Sequence, residues 1–431
     1  MYNSLKKILI FPAGTEIAFE ILNALKYSKF VEVYGGTSAD DHSEFVYKRL
    51  IKGFPYINDE GFLDYLNDVI SKYDIDCIYP AHDSVSVFLS DNSDRINAQV
   101  IITDAFTTNI CRSKKETYAF FSGESFIPRT FDSVEEISSY PVFVKPTVGQ
   151  GSNGAKKISS RIELEIALQQ DKSLVLCEYL PGMEYTVDCF TDRHGNLHIA
   201  KMRDRERIRS GISVRSKMMK SEPSVQDIAE KINSKLHFRG AWFFQLKRNN
   251  EGEYRLLEIS PRIPGTMGLS RNSGINFPML TLFDFWDFDV SVIDNDYDII
   301  LDRAFYNAYK IDIQYDHIYC DYDDTIIVNG KVNKTLISFL YQAKEQGKKI
   351  HLLSKHIGDL YEDLNKYCIC KKLFDEIIVI DPGLDKTKYI SEKSAIFIDD
   401  SFSERLNVKK KLGIAVFDLD MVESLIDWRI I

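Results

Sequence analysis

The sequence predicts an α/β protein of about three folded domains, and three observations support this. The chain has 431 residues, and a typical domain takes about 150 of them. Hydrophobic residues make up 44% and charged residues 27%, which is the balance of a folded protein with a large core. Short apolar strands alternate with helical patterns at both ends of the chain, which indicates parallel sheets.

Composition and charge argue against several classes of function. Lys and Arg number 54 against 64 Asp and Glu, for a formal net charge of −10, whereas a nucleic-acid binder needs a basic face. No apolar run approaches the roughly 20 residues that span a bilayer, and the apolar run 8–11 is too short for a signal peptide. Seven cysteines without a repeated spacing favour a reducing compartment. We therefore expect a cytoplasmic protein that binds neither nucleic acid nor membrane.

Residues 1–110 predict a Rossmann-like domain with a parallel sheet. A first strand over 7–11 is followed by a turn and an amphipathic helix over 16–25, and further apolar strands cover 31–34 and 77–79. Ligands of such sheets bind at the carboxyl ends of the strands. The first turn lacks the G-x-G-x-x-G pattern, which argues against a nicotinamide-binding domain.

Residues 111–292 change to β-rich patterns and carry a motif suited to phosphate. Lys145 ends an apolar strand, and the Gly-rich segment 149–154 follows it. A strand lysine supplies positive charge, while glycines let backbone N–H groups approach phosphate oxygens. Taken alone, the same residues also fit a β-hairpin with an exposed lysine.

Two further patterns in this domain suit a nucleotide and its metal. The segment 177–188 reads as strand, turn and strand, and it offers backbone groups to an adenine ring and carboxylates to ribose hydroxyls. Alone, that segment also fits a simple turn. Adjacent strands over 241–245 and 254–260 would bring Gln245 and Glu258 to one site. Mg²⁺ prefers such oxygen ligands together with substrate phosphates.

These patterns and a lysine pair that opens a helix occur in an order that resembles the ATP-grasp superfamily. The likeness is to its carbamoyl-phosphate-synthetase-like branch of carboxylate–amine ligases and covers about residues 1–290. It implies a pre-ATP-grasp domain over 1–110, an α+β ATP-grasp domain over 111–292, and binding of ATP with Mg²⁺ or Mn²⁺. The nucleotide contacts it implies are Lys115, Lys145, Gly149, Gly151, Ser152, Glu178, Tyr179, Leu180 and Glu184. The metal ligands it implies are Gln245, Glu258 and Ser260, with Arg262 steering phosphate or acyl-phosphate charge.

One residue departs from the family pattern, which usually has Asn two residues after the metal-binding Glu. This chain has Ser260 there, and a hydroxyl ligates Mg²⁺ more weakly, so the number of metal ions stays open. The implied reaction transfers the γ-phosphate of ATP to a carboxylate, and an amine or another nucleophile then attacks the acyl-phosphate. The Arg-rich run 202–211 suits the acid substrate, because arginine binds carboxylates bidentately. A solvated charged strand is the alternative for that run.

The last part of the chain predicts a small, doubly wound α/β domain. The segment 293–312 is rich in Asp, Asn and Tyr and is interpreted as a connector. Residues 313–431 then return to strand–helix alternation. The five apolar strands are expected over 318–320, 349–353, 376–380, 395–398 and 414–417.

Acidic and polar side chains stand at the ends of these strands. Asp321, Asp323 and Thr325 form a D-x-D-x-T motif directly after the first strand. Ser354 ends the second strand, and Asp400 follows the fourth. Two acids at i and i+2 after a strand can share one Mg²⁺ and meet a phosphorus atom, although the motif alone also fits an acidic turn. The carboxyl ends of parallel strands meet at one edge, so we expect these side chains to lie together.

This set resembles the haloacid-dehalogenase (HAD) superfamily over about residues 312–431. The resemblance implies aspartyl-phosphate chemistry, with Asp321 as nucleophile and Asp323 as general acid and base. Ser354 and one lysine would hold the phosphoryl group, and position favours Lys386 over Lys388.

The HAD resemblance also implies a metal site and an open active site. Magnesium would be held by Asp321, Asp323 and Asp400. Only 28 residues separate Thr325 from Ser354, which is too few for an inserted cap domain. We therefore expect a capless HAD-like domain whose substrate is large or whose site is covered by the rest of the chain.

Together the motifs predict a bifunctional enzyme, in which an ATP- and Mg-dependent ligase is fused to a Mg-dependent phosphatase. Its expected partners are small-molecule carboxylate and amine substrates, and a phosphorylated substrate for the C-terminal domain; a homodimer is left open. The alternative is an ATP-binding regulatory protein with a degenerate ATP-grasp site and an active phosphatase domain. The completeness of both motif sets favours the enzyme, because Ser260 is the one visible departure.

Overall fold

A computed structural model describes residues 5–149, 151, 153–209, 211–295 and 297–429. The chain divides into two compact units, one that ends at Phe305 and one that spans Tyr306–Arg429. The division lies inside the segment 293–312, for which the sequence predicts a connector.

A parallel sheet opens the first unit. Its strands are β1 (Lys6–Phe11), β2 (Val31–Thr37), β3 (Leu50–Lys52), β4 (Cys77–Pro80) and β5 (Gln99–Val100). They run in the order β3-β2-β1-β4-β5, with β1 paired in parallel to β2 and β4. Ile8 and Ile10 of β1 pack in one buried cluster, and Leu9 and Phe11 pack in another. Because both faces are covered, the strand is a continuous apolar run rather than an alternating one.

Four helices accompany this sheet. They are α1 (Glu16–Leu25), α2 (Phe62–Tyr73), α3 (Asp83–Asp91) and α4 (Ala105–Arg112). The side chain of Thr15 caps α1 by accepting a hydrogen bond from the Ala18 amide at 3.1 Å. Its buried residues include Ala18, Ile21, Leu22 and Leu25, whose helical spacing turns one face to the core. The helix predicted over 16–25 is confirmed.

Two antiparallel sheets follow. The strands of the smaller sheet are β6 (Thr130–Phe131), β7 (Val142–Pro146), β8 (Lys156–Ile158) and β9 (Leu174–Glu178). Those of the larger sheet are β10 (Glu184–Thr191), β11 (Leu197–Asp204), β14 (Gly240–Arg248) and β15 (Tyr254–Ser260). Between β11 and β14 in the chain, the strands β12 (Arg207–Arg209) and β13 (Ile212–Lys217) belong to another sheet. The strand orders are β6-β9-β7-β8 and β11-β10-β14-β15. The predicted pairing of the Gln245 and Glu258 strands is confirmed, because these two residues are opposite each other in β14 and β15.

Helices cover the antiparallel sheets. They are α5 (Lys114–Phe120), α6 (Arg161–Gln170), α7 (Pro223–Lys235), α8 (Gly268–Asn272) and α9 (Phe277–Phe285). Ile228 and Ile232 of α7 belong to the same buried cluster as Val187 of β10 and Phe244 of β14. This apolar packing holds the larger sheet as a rigid support for side chains on its other face.

A third, smaller sheet contains part of the predicted connector. Its strand β16 (Ile300–Asp302) pairs antiparallel with β13, which in turn pairs antiparallel with β12. The segment 293–312 is therefore not only a linker, because it contributes a paired strand to the first unit.

The second unit has a five-stranded parallel sheet in which every predicted strand is found within one residue of its expected ends. Its strands are β17 (His317–Cys320), β20 (Lys349–Ser354), β21 (Glu376–Val379), β22 (Ala395–Ile398) and β23 (Ala415–Phe417), and β18 (Ile327–Val328) and β19 (Lys331–Val332) form a separate hairpin. Its helices are α10 (Lys334–Glu345), α11 (Leu360–Lys366) and α12 (Phe402–Leu412). The strand order is β21-β20-β17-β22-β23.

The predicted α/β class with parallel sheets is confirmed. Among the described residues, no helix combines the length and the apolar character that crossing a membrane requires.

Candidate active sites

One pocket of the first unit is lined by residues of both antiparallel sheets, α5 and the segment after β7. Of the residues predicted to contact nucleotide or metal, the pocket is lined by Lys145, Gly149, Gly151, Glu178, Leu180, Glu184, Gln245 and Glu258. Lys115, Tyr179, Ser260 and Arg262 are not among its described lining residues. The predicted Ser152 lies outside the described residues.

Lys145 is the most buried charge of this pocket. Its side chain leaves β7, and the residue is only 6% exposed. The ammonium donates to the Leu257 carbonyl at 3.1 Å and to the Tyr118 hydroxyl. Burial lowers the pKa of Lys145, and among the described residues no carboxylate lies within ion-pair distance of it. A buried ammonium without a carboxylate partner is suited to an anionic ligand.

The structure places Lys114, rather than the predicted Lys115, in the pocket. Lys114 lines the pocket and its Nζ lies 3.6 Å from Glu258 Oε2, whereas Lys115 is exposed to solvent. Burial also lowers the pKa of Lys114. Consecutive helical residues point about 100° apart, so only one lysine of the pair can face the pocket. The helix begins after Ser113, whose side chain accepts from the Glu116 amide at 3.1 Å.

The Gly-rich segment meets a second loop over this pocket. A Cβ on Gly211 would lie 2.1 Å from the Gly151 carbonyl carbon, so the two backbones are in contact. Gly211 also has a φ of +75°, which side-chain-bearing residues rarely adopt. The Gly149 carbonyl accepts from Arg112 Nη1 at 3.3 Å. Glycine is therefore required here for close approach of the backbones as well as for its conformation.

The predicted adenine and ribose side of the pocket is rich in ion pairs. Glu178 accepts from the Arg129 amide at 2.9 Å and lies 3.6 Å from Arg255 Nε. Glu184 lies 3.1 Å from Lys247 Nζ. Tyr179, which is not a described lining residue, has Lys157 Nζ 4.6 Å from its ring centroid. The sequence did not single out Lys247, which lines the pocket.

The arginines of the run have different surroundings, because only Arg203 lies in β11 and the others follow that strand. Arg203 is 1% exposed and its Nε lies 2.9 Å from Asp188 Oδ2 in a buried ion pair. Arg205 lines the pocket and donates to the Gln245 side-chain oxygen. Arg207 and Arg209 are exposed. The run therefore does not act as one binding surface, and Arg205 alone among its described arginines reaches the pocket.

Gln245 and Glu258 are the side chains that could hold a divalent metal ion in this pocket. They are paired across neighbouring strands and line the same cavity as Lys114 and Lys145. One amide oxygen and one carboxylate beside two lysines fit Mg²⁺ that also takes phosphate oxygens, because Mg²⁺ uses few protein ligands of this kind.

Ser260 and Arg262 are both bound to Asp83, a residue that the sequence analysis did not select. Arg262 donates from Nε and Nη2 to the two Asp83 oxygens at 2.6 and 2.8 Å, and Ser260 Oγ donates to Oδ1 at 3.1 Å. Burial opposes ionisation of Asp83, but the charge of Arg262 outweighs it and holds the carboxyl pKa well below its usual range. Asp83 of α3 therefore competes with a metal ion for Ser260 and with a phosphate for Arg262, which are the roles predicted for these two residues.

The second unit brings four of its charged side chains close together. Asp321, Asp399 and Asp400 each place one carboxylate oxygen within 4.8 Å of the others. Lys386 Nζ lies 2.9 Å from Asp321 Oδ1 and 2.7 Å from Asp399 Oδ2. Lys388 is exposed, so the geometry selects Lys386 of the two lysines. Three carboxylates around one buried lysine leave excess negative charge, which suits a hard cation such as Mg²⁺.

Burial sets the protonation of this acid cluster. It raises the pKa of Asp321, and it raises that of Asp399 to about 6, although the charge of Lys386 opposes both shifts. Burial also opposes the charge of Lys386, but the coulombic effect of Asp321 and Asp399 outweighs it and raises the lysine pKa. The charge of Asp321 also raises the pKa of Asp399, and a divalent cation would relieve this repulsion between the carboxylates.

Asp323 stands apart from that cluster, in contrast to its predicted metal role. Its side chain is 52% exposed, and one oxygen lies 2.9 Å from His356 Nδ1. Ser354 Oγ donates to Asp323 at 3.5 Å. Thr325 Oγ1 instead bonds to Asp400, accepting from its amide at 3.1 Å. The two acids of the D-x-D pattern therefore have different surroundings. His356 was missed because it lies 33 residues after Asp323, and no local pattern links the two.

Comparisons with known proteins find a family model that matches within the first unit. A family model described as "ATP-grasp in the biosynthetic pathway with Ter operon" matches residues 170–299. A D-alanine–D-alanine ligase from Thermotoga maritima is 33% identical over 101 residues, which are 22% of this chain and 33% of the relative. The chain thus spans about a third of the length of the curated relatives it matches.

Solved structures of the same general fold extend the likeness. Biotin carboxylase from Campylobacter jejuni, in a complex with β,γ-ATP, has a TM-score of 0.58 at 16% identity and covers 69% of this chain and 75% of its own. An L-amino acid ligase from Bacillus licheniformis has a TM-score of 0.54 at 18% identity and covers 65% and 74%. At these identities the likeness shows the fold. The predicted ATP-grasp resemblance is supported, and the HAD resemblance stays a prediction.

Proposed function

We propose that the first unit is an ATP- and Mg-dependent ligase that joins a carboxylate to an amine or a related nucleophile through an acyl-phosphate. The observation that supports this most is the assembly of Lys114, Lys145, Gln245 and Glu258 around one pocket beneath the Gly-rich segment. Two buried lysines suit a polyphosphate, and the paired amide and carboxylate suit its metal ion.

In this proposal the polar side chains of the pocket divide the binding of ATP and of its metal ion between them. Lys145 and Lys114, in place of Lys115, hold the phosphates of ATP, and Glu178 and Leu180 lie on the adenine and ribose side. Gln245 and Glu258 would hold magnesium, which would neutralise charge on the transferring phosphoryl group. Arg205 donates to the Gln245 side-chain oxygen and adds positive charge beside these ligands.

The transfer itself moves the γ-phosphoryl group from ATP to an oxygen of the acid substrate. The bond between the β,γ-bridging oxygen and the γ-phosphorus breaks, and ADP leaves with the electron pair. The amine then attacks the acyl carbon, and inorganic phosphate leaves. The pocket lysines stabilise the negative charge of both steps because they are preorganised and partly desolvated.

The test is ADP formation in the presence of a pool of candidate acids and amines. Lys145→Ala and Lys114→Ala should lower ADP formation, while Lys115→Ala serves as the matched control, since that lysine is exposed one residue away. Equal loss in Lys115→Ala and Lys114→Ala would contradict the placement of Lys114. Unchanged ADP formation by Lys145→Ala would contradict the ligase proposal.

We propose that the second unit is a Mg-dependent phosphatase that works through an aspartyl-phosphate. The clustering of Asp321, Asp399 and Asp400 after β17 and β22, with Lys386 in contact with the first two, supports this proposal. An Asp321 oxygen would attack phosphorus as the ester P–O bond breaks, while Asp323 donates a proton to the leaving oxygen. Asp323 would then take a proton from the water that attacks phosphorus, and the carboxylate of Asp321 is released.

Hydrolysis of p-nitrophenyl phosphate with magnesium tests this second activity. Asp321→Asn should abolish it, and Asp324→Asn provides a neighbouring exposed acid as control. A purified, folded wild-type protein without any hydrolysis of this ester or of other phosphomonoesters would contradict the proposal.

A nucleotide-binding protein without ligase activity is the second candidate function. The contacts of Ser260 and Arg262 with Asp83 favour this candidate. They engage the hydroxyl that the ATP-grasp resemblance assigns to the metal ion and the guanidinium that it assigns to the phosphate. Nucleotide binding without ADP formation across the whole pool of acids and amines would support this candidate over the first.

A further inference from the structure

We propose that His356 is a positioning residue that orients Asp323 for proton transfer in the second unit. The inference rests on the proposed phosphatase function. In that reaction a new bond forms between Asp321 and phosphorus, the ester oxygen leaves with the electron pair of the broken P–O bond, and Asp323 gives that oxygen its proton. No role was predicted for His356, which lies two residues after the end of β20.

Asp323 needs a partner that holds its carboxyl group in one orientation. Its side chain is 52% exposed, and an exposed side chain moves between rotamers. Ser354 Oγ donates to Asp323 at 3.5 Å, which is long for a hydrogen bond from a hydroxyl. A general acid must instead lie within hydrogen-bond reach of the atom that it protonates.

His356 supplies a shorter contact to this carboxyl group. Its Nδ1 lies 2.9 Å from Asp323 Oδ2 and 3.1 Å from Oδ1. An ionised carboxylate only accepts hydrogen bonds, so the Nδ1–H group donates. A protonated carboxyl still accepts at its second oxygen, so the same contact persists while the other oxygen carries the proton. The histidine therefore orients Asp323 before and after proton transfer.

The surroundings of His356 fix the imidazole itself. Its side chain is 8% exposed, and its ring meets the ring of the buried Tyr322 edge to face, with 5.4 Å between the centroids. The second ring nitrogen, Nε2, lies 3.8 Å from Asp363 Oδ2 on α11. These contacts leave the imidazole few orientations, as a residue that positions another side chain requires.

Ser354 connects the pair of Asp323 and His356 to the proposed nucleophile. Burial raises the pKa of Asp321, and a hydrogen bond with Ser354 is among the effects that oppose this shift. Ser354 also donates to Asp323, so one serine interacts with both carboxyl groups. The side chain that His356 orients therefore belongs to the same site as the carboxylate that would attack phosphorus.

The experiment compares hydrolysis of phenyl phosphate and p-nitrophenyl phosphate by the full chain with magnesium. The nitro group stabilises the departing phenolate, so p-nitrophenyl phosphate depends less on a general acid. His356→Ala should lower kcat/KM about tenfold on phenyl phosphate and at most about twofold on p-nitrophenyl phosphate. His356→Asn should restore most of the phenyl phosphate rate, because the asparagine amide also offers an N–H donor close to the backbone.

Two comparisons separate positioning from a general loss of stability. His351→Ala is the matched control, since His351 lies on β20 and its Nδ1 is 2.9 Å from a carboxylate oxygen of Glu376. It should hydrolyse both esters at close to the wild-type rate. In an Asp323→Asn protein, His356→Ala should cause no further loss on phenyl phosphate, because the acid that it orients is gone. A purely structural role of His356 would multiply the two losses.

The outcomes distinguish this inference from the proposed function. A folded His356→Ala protein that loses the same factor on both esters, or loses nothing on either, would overturn the inference. Should this variant fail to fold, His356→Phe takes its place, because it keeps an aromatic ring against Tyr322 and removes the donor. A wild-type protein that hydrolyses neither ester, or an Asp323→Asn protein that matches wild type on both, would instead contradict the phosphatase mechanism.

Discussion

The two candidate sites are built in different ways, although both collect charged side chains in one place. In the second unit, Asp321 and Asp399 directly follow neighbouring parallel strands, and a single lysine contacts both carboxylates. In the first unit, several charges are paired between distant parts of the chain, as in Lys114 with Glu258 and Arg262 with Asp83.

The difference shows what each site has in excess. The acid cluster of the second unit has three carboxylates for one lysine, so it is suited to a cation. The pocket of the first unit contains Lys145, which has no carboxylate within ion-pair distance among the described residues, so it is suited to an anion. Under the proposed functions, a metal ion would balance the charge of the acid cluster, and a phosphate-bearing substrate together with a metal ion would balance that of the pocket.

Asp321→Asn is the sharpest test of this comparison. It removes the charge of the proposed nucleophile at nearly constant volume, so hydrolysis of p-nitrophenyl phosphate should fall at least about a thousandfold. ADP formation should persist, because the residues proposed for it belong to the other unit. If ADP formation also disappeared from a folded Asp321→Asn protein, the sites would not be separable.

Lys145→Ala is the reciprocal test. Loss of the buried ammonium of Lys145 should reduce ADP formation several hundredfold, which is about the effect of removing one preorganised charge from a phosphoryl-transfer site. Ester hydrolysis, measured on the same preparation, should stay at the wild-type rate. A parallel loss of both activities would show that the pocket and the acid cluster work as one site.

Asp83→Asn probes the long-range pairing that distinguishes the first unit. Removing one partner of a largely buried ion pair should lower the free energy of unfolding by about 3 kcal/mol, as measured by denaturant titration at neutral pH. Because the folded pKa of Asp83 is depressed, its contribution is complete above the ordinary carboxyl pKa of about 3.9 and is lost as pH falls through the folded value.

The difference in unfolding free energy between wild type and Asp83→Asn should therefore shrink as pH is lowered below about 4. A difference that stays constant or grows in that range would show that Asp83 does not act through its ionised form.

Glu258→Gln and Ser260→Ala give the smallest expected effects and rank the proposed metal ligands. Glu258→Gln should raise the magnesium concentration needed for half-maximal ADP formation about tenfold more than Ser260→Ala, since a carboxylate neutralises Mg²⁺ and a hydroxyl does not. The hydroxyl of Ser260 is also used on Asp83. A larger effect of Ser260→Ala would assign the metal to the Asp83 side of the pocket.

Much of the fold could be predicted from the sequence, because it depends on local patterns. The five strands of the second unit follow from short apolar runs between helical segments, and the D-x-D-x-T acids directly follow the first of these strands. Lys145 and the Gly-rich segment were recognisable for the same reason, because the strand, the lysine near its end and the glycines that follow are close together in the chain.

The partners of these residues could not be predicted, because they come from distant parts of the chain. His356 lies 33 residues after Asp323, and Asp83 lies 179 residues before Arg262. No local pattern links such pairs, since they meet only when different strands and helices end beside each other. The connector was likewise interpreted from its polar composition, which does not show that β16 pairs with β13.

The sequence by itself determined the order of the elements, the apolar faces that build the sheets and the residue types available at the strand ends, because these depend on neighbours within one or two helical turns. Only the tertiary structure decided that Lys114 rather than Lys115 faces the pocket, that Arg203 is buried against Asp188, and that Asp302 of the predicted connector pairs with Arg207 and Arg215. Each of these depends on helix phase, strand pleat or register relative to another element, and tertiary packing sets all three.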